Sequence, residues 1–184
     1  IVFFFFYIAI IKDGPSVRRR FLDTAIFQIY PIFVEIMRKY TRAVQQRNAA
    51  VKDLYYHADL ASLIDVFDAE IVENGKKIID YRERYLEKIT PFLTEIYSGL
   101  TGKRENLTLK YVNTLGDKEF ADFLVQSRRI DMQSGITSAG PHRDDIEFFI
   151  NNISARNFGS QGQMRSVALC LKLAEAQVIK NLTG

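Results

Sequence analysis

Tryptophan is absent from this 184-residue chain, cysteine occurs once, and no hydrophobic run exceeds eleven residues. The lone Cys170 excludes an internal disulfide and suits a reducing compartment. It falls on an apolar helical face, where a single thiol packs as a small hydrophobe. The eleven-residue run, IVFFFFYIAII at the start, is well short of the about 18 apolar residues that a membrane-spanning helix needs. It also lacks the basic lead and small-residue cleavage site of a signal peptide, so a buried strand is expected there. No membrane association is expected. The phosphate-cradling pattern G-x-x-x-x-G-K-[ST] is missing too: Gly75-Lys76 and Gly102-Lys103 lack both the earlier glycine and the following Ser or Thr. No run of four apolar residues ends in Asp-Asp or Asp-Glu. The chain alone therefore carries no complete nucleotide site. It opens without methionine and closes on NLTG directly after a predicted helix, and both ends read as cut.

Charge of one sign is also lacking overall. Lys and Arg number 25 against 22 Asp and Glu, and a net charge of +3 is too small by itself to imply a nucleic-acid partner. With 47% hydrophobic and 26% charged residues, the composition is that of a folded soluble protein. The charge is unevenly spread, however. Between Pro15 and Ala50, Arg18, Arg19, Arg20, Arg38, Lys39, Arg42 and Arg47 face only Asp23 and Glu35, an excess of seven minus two, or five. Either a solvated helix face or a phosphate-contacting stripe accounts for it.

Two hydrophobic seams follow the turn DGPS at 13–16. Leu22, Ile26, Ile29, Phe33, Ile36, Tyr40 and Ala43 recur at alternating spacings of four and three, the period of a coiled coil. Pro31 falls inside this seam and should kink or divide the helix. The second runs through Leu60, Ile64, Phe67, Ile71, the polar Asn74, Ile78 and Tyr85, and continues as Ile89, Phe92 and Ile96 past Pro91. Two such helices joined by roughly a dozen residues predict an antiparallel hairpin. After SGLTGKREN the texture changes. LTLKYV alternates as a strand, 118–130 reads as a short helix, DDIEFFINN as another strand, and a helix begins at Ser160 with Met164, Val167, Ala168, Leu171, Ala174 and Val178 on one face.

Two short motifs carry chemistry. In SQGQ, Ser160 and Gln163 stand in the relation of a capping box, in which the serine oxygen accepts the N3 amide and the glutamine reaches back. The same helix start has free amides, a hydroxyl and a positive dipole end that suit a phosphate. Gly162 in the first turn costs about 1 kcal/mol relative to alanine, which a cap does not require. Arg165 places a cation where it is unfavourable unless an anion arrives. These two departures favour the phosphate reading. In GPHRDD, at 140–145, His142-Arg143-Asp144 matches a kinase catalytic loop only superficially, since Phe149 stands where that loop needs asparagine. His142, Asp144 and Asp145 match no recognised metal-ligand spacing, and no metal site is assigned. A surface turn stiffened by Pro141, with its charges pairing locally, is the plainer expectation.

Taken together, GPHRDDIEFFINN, RNFGSQGQMRSVALCLKLAEAQVI, IIKDGPSVRRRFLD and YTRAVQQRNAAVKD resemble the bacterial RecF family of recombination and repair proteins, from about Ile10 to Gly184. Residues 1–9 are assigned no function. The resemblance implies an α/β fold, part of an ABC-ATPase-like head with an inserted helical, coiled-coil-like arm. It divides the chain into a head strand and turn at 1–14, the arm at 15–100 and a signature-bearing head portion at 101–184. It further implies a cytoplasmic ATP-binding and DNA-binding protein of repair, replication and the SOS response. Such a protein dimerises on ATP and works with RecR and RecO partners on duplex or single-strand/double-strand junctions. Ser160, Gln161, Gly162, Gln163 and Arg165 would contact ATP across the dimer, Ser160 and Gly162 at the γ-phosphate. Arg18, Arg19, Arg20, Arg38, Lys39 and Arg42 would contact DNA. Magnesium and most of the ATP site would come from segments absent here, so hydrolysis by this chain alone is not expected. The alternative is a non-enzymatic helical-hairpin interaction module.

Overall fold

The computed structural model describes residues 2–54, 56, 57 and 59–183, with side chains from Tyr7 to Leu182. Among them the element order is α1 (Val2–Lys12), α2 (Pro15–Ile29), α3 (Ile32–Asp53), α4 (Leu60–Leu100), β1 (Leu107–Val112), α5 (Phe120–Ser134), β2 (Asp145–Ile150), β3 (Ile153–Ser154), α6 (Ala155–Phe158) and α7 (Gln161–Thr183). The chain divides into two compact units. One comprises Ile1–Ile29, Arg82–Val112 and Asp145–Gly184; the other, Tyr30–Tyr81 and Asn113–Asp144.

The first unit holds an antiparallel sheet in the order β1-β2-β3, with Leu107 opposite Ile150 and Val112 opposite Asp145. The strand expected at the N-terminus is instead the helix α1, packed against α7 and α2; Ile1 lies outside the described residues. A run apolar on every side suits a buried helix as well as a buried strand, and its eleven residues favour the helix. Ile10 and Ile11 are fully buried, as are Val167, Ala168, Cys170, Leu171 and Ala174 of α7. Burial pushes the Cys170 thiol up to about 11, as befits a packing residue. The phenol of Tyr7 bonds Glu175 of α7, and desolvation followed by that bond raises its pKa. Arg82 pairs through two nitrogens with Asp23, both at 2.9 Å, fastening α4 to α2.

In the second unit α3 and α4 run antiparallel. Phe33 meets Tyr81, Arg47 meets Asp68, and Val51 clusters with Ile64. Pro31 divides the first seam as expected, ending α2 at Ile29 and capping α3. The connection to α4, residues 54–59, is half the expected dozen because α3 continues to Asp53. Pro91 does not interrupt α4. Pro91 has no N–H for the carbonyl of Glu87, while the Thr90 and Thr94 hydroxyls bond carbonyls one turn back, at 2.6 and 3.0 Å. Beyond Ile89 the buried stripe passes to Leu93 and Tyr97, leaving Phe92 and Ile96 half-buried. The helical period of 3.6 has there drifted off the 3.5 seam. Gly75 lets two rings approach: a Cβ would lie 2.5 Å from the Phe120 ring and 3.1 Å from that of Tyr40.

Candidate functional site

The start of α7 is a completed capping box. The Gln163 amide donates to Ser160 Oγ at 3.1 Å, and the Ser160 amide donates to Gln163 Oε1 at 2.9 Å. Ser160, Gln161, Gly162 and Arg165 are all exposed, and Gln163 is half-buried. The two glycines of the segment differ in kind. A Cβ on Gly159 would strike the Ala155 carbonyl oxygen at 2.4 Å, so the α6–α7 junction requires that glycine. A Cβ on Gly162 would meet only Ser160 Oγ, at 3.8 Å, an ordinary contact. Nothing among the described residues demands the second glycine, and its surface faces outward beside a hydroxyl and the positive end of a 23-residue helix.

A carboxylate that no sequence pattern marks stands behind this helix start. Gln163 Nε2 donates to Glu105 Oε1 at 2.9 Å, and the phenol of Tyr97 donates to Glu105 Oε2 at 2.5 Å. The Tyr97 bond first, and the Gln163 bond second, hold the Glu105 carboxyl below the usual range. Burial, with the Glu105 bond next, pushes the Tyr97 phenol up. Nothing in SGLTGKREN singles out Glu105; only the fold brings it to Gln163, 58 positions along the chain.

The basic residues are not a single stripe. Arg18 departs from the DNA-contact expectation. It is 2% exposed, its guanidinium grips Asp145 at 2.6 and 2.7 Å, and it donates to the carbonyls of Ile10 and Asp13. Arg47 is likewise buried, between Asp68 and Asp131. A count of charges cannot distinguish a buried ion-paired arginine from a solvated one. Arg19 is half-buried and Arg20 exposed on α2. In the other unit Arg38, Lys39 and Arg42 are exposed on α3. They line an open groove of about 800 Å³ with Glu35, Glu70, Glu73 and Lys77. Arg38 grips Glu35 at 2.7 and 2.9 Å.

GPHRDD is not a surface turn with local pairing. Asp144 is buried and accepts the Thr114 amide and hydroxyl at 2.8 and 2.7 Å. Gly140, at φ 123°, closes a turn with Arg143. His142 Nδ1 meets the Tyr40 hydroxyl at 2.6 Å, and its Nε2 meets the Thr137 carbonyl at 3.1 Å. Since a carbonyl only accepts, Nε2 carries a proton toward Thr137. Asp145 holds Arg18 in the first unit. The motif therefore organises the fold. Among the described residues no group of three or more His, Cys, Asp or Glu is placed to hold a metal ion, and no helix is long and apolar enough to cross a membrane.

A helix-rich α/β fold with a small antiparallel sheet and an inserted helical hairpin makes this chain part of an ABC-ATPase-like head with a helical arm. No family model matches it. It is 38% identical over 171 residues to the DNA replication and repair protein RecF of Agathobacter rectalis and 36% identical over 180 residues to that of Clostridium botulinum, covering 93% and 95% of this chain. Two structures of the recombination mediator protein RecF in the RecFOR pathway, one RecF-ATP and one RecF-ATPrS, superpose with a TM-score of 0.91. They are 32% and 33% identical to it and cover 97% of this chain. The chain is RecF-like, and it spans about half the length of the relatives it matches: 47% and 49% of those two proteins and 50% of the two structures.

Proposed function

We propose that this chain supplies the signature-helix half of a composite ATP site in a RecF-type protein of recombinational repair, replication and the SOS response. The other half, with the P-loop, the Walker B carboxylates and Mg²⁺, belongs to the part of a RecF that this chain does not span. Ser160 and Gly162 meet the γ-phosphate held by the opposite subunit, Gln161 and Gln163 flank it, and Arg165 supplies positive charge at the dimer face. The open space at Gly162 carries this reading: a glycine that its own fold does not need, exposed next to a capping serine, fits a group arriving from outside. The capping box is compatible with it. Ser160 Oγ accepts from Gln163 and retains its own proton to donate.

The test uses a chimera in which this segment replaces the matching half of full-length Agathobacter RecF. Ser160→Arg there should abolish ATP-dependent dimerisation, read by analytical ultracentrifugation with and without ATP. Undiminished dimerisation would refute the assignment. Cytoplasmic location, and work with RecO and RecR, follow from the same reading. For DNA, Arg19, Arg20, Arg38, Lys39 and Arg42 remain as phosphate contacts, without the buried Arg18. Neutralising Arg38, Lys39 and Arg42 in the chimera should flatten the log-log salt dependence of duplex binding by about one unit for each phosphate no longer neutralised. An unchanged slope removes those three from the interface.

A further inference from the structure

The composite-site reading leaves open how the start of α7 is held in register, and the hydrogen bonds behind it supply an answer. Resting on that reading, we infer that Glu105 is a positioning residue for the γ-phosphate contact: it fixes the Gln163 side-chain amide, and through it the Ser160 cap, against the last turn of α4.

The chemistry is directional. A primary amide has one accepting and one donating end. The carboxylate of Glu105 can only accept, so it draws Gln163 Nε2 toward itself at 2.9 Å and leaves Oε1 facing the Ser160 amide. A flipped amide would set its NH2 against the Ser160 N–H and its oxygen against the carboxylate, breaking both bonds. With Gln163 so oriented, Ser160 Oγ takes the Gln163 amide and the serine proton is left for an incoming oxygen. Glu105 itself has little freedom. Its second oxygen takes the phenol of Tyr97, a fully buried residue in the last turn of α4. On its N-terminal side the backbone is held by the helix-ending turn, where Lys103 donates to the Ser98 carbonyl at 2.8 Å and Gly102 and Lys103 both have φ of 61°. On its C-terminal side Asn106 exchanges two bonds with Asn151, each 2.8 Å. A carboxylate beside a helix N-terminus is also favoured by the dipole. Glu105 is thus a fixed acceptor anchored on α4 through Tyr97 and aimed at α7.

The test compares Glu105→Ala and Glu105→Gln in the chimera. Glu105→Ala should weaken ATP-dependent dimerisation by about tenfold or more, the scale of losing a charge-assisted hydrogen bond, while ATP binding by the monomer stays unchanged. Glu105→Gln should return to within about threefold of the parent, because its carbonyl can still accept from Gln163 while its amide donates to the Tyr97 oxygen. In this chain itself, the Gln163 side-chain amide protons should exchange slowly with solvent, and Glu105→Ala should make them exchange as fast as those of a free glutamine. If Glu105→Ala fails to fold, Tyr97→Phe, which frees one Glu105 oxygen and leaves the start of α7 untouched, should weaken ATP-dependent dimerisation by about threefold and speed exchange of the Gln163 side-chain amide. Parent-like dimerisation by Glu105→Ala, a glutamine no better than the alanine, or parent-like dimerisation and exchange in Tyr97→Phe overturns the inference. Ser160→Arg separates the two layers. If it blocks dimerisation while Glu105→Ala does not, only the role of Glu105 falls; if it has no effect, the composite site falls first.

Discussion

Gly159 and Gly162 stand three residues apart with opposite physical requirements. The first cannot carry a Cβ, because the Ala155 carbonyl lies 2.4 Å from where it would sit; the second has room for one. An alanine at 162 should therefore raise the stability of this chain by up to about 1 kcal/mol through helix propensity, measured as a shift in the urea midpoint. The same substitution in the chimera should weaken ATP-dependent dimerisation, because the methyl occupies the space the phosphate needs. Loss of stability on alanine substitution would show that Gly162 serves the fold instead. The sequence displayed the cap, since S-x-x-Q is a local pattern. It did not display Glu105, whose partner is set by the fold, nor the burial of Arg18, since a charge read in sequence carries no solvation.

At the scale of elements, α3, α4 and α5 are fastened by one arginine. Arg47 of α3 is fully buried, donating to Asp68 of α4 at 2.5 Å, to Asp131 of α5 at 2.6 Å and to the Leu124 carbonyl of α5. Arg128 supports the arrangement by reaching Asp65 and Asp68, at 2.6 and 2.7 Å. Removing one member of a buried ion pair strands its partner, so Arg47→Ala should cost about 3–5 kcal/mol. Arg47→Lys should recover only part, having no planar fork to span two carboxylates. Urea unfolding followed by circular dichroism measures both, and a loss below about 1 kcal/mol for the alanine would contradict that fastening role. The periodic helices and alternating strands were legible because each obeys its own repeat. The N-terminal run was not, as continuous apolarity has no period to read. The drift of the α4 stripe from Phe92 and Ile96 to Leu93 and Tyr97 escaped a seam drawn at strict 3.5 spacing, and it is this drift that brings Tyr97 inward, where it meets Glu105.

At the scale of the whole molecule, a RecF-like chain spanning half of its relatives bears one helix start whose chemistry points outward. On the composite-site reading this half-site meets a P-loop on another subunit. Mixing two defective chimeras tests that most directly: one carries Ser160→Arg, the other a disabled P-loop in the Agathobacter half, and each is labelled with a different dye. Each alone should stay monomeric with ATP. Mixed, they should form a heterodimer in which one composite site has both halves intact, seen as ATP-dependent energy transfer between the dyes. If the mixture gives no more transfer with ATP than without it, at concentrations where the parent chimera dimerises, the signature helix of this chain does not act across a dimer.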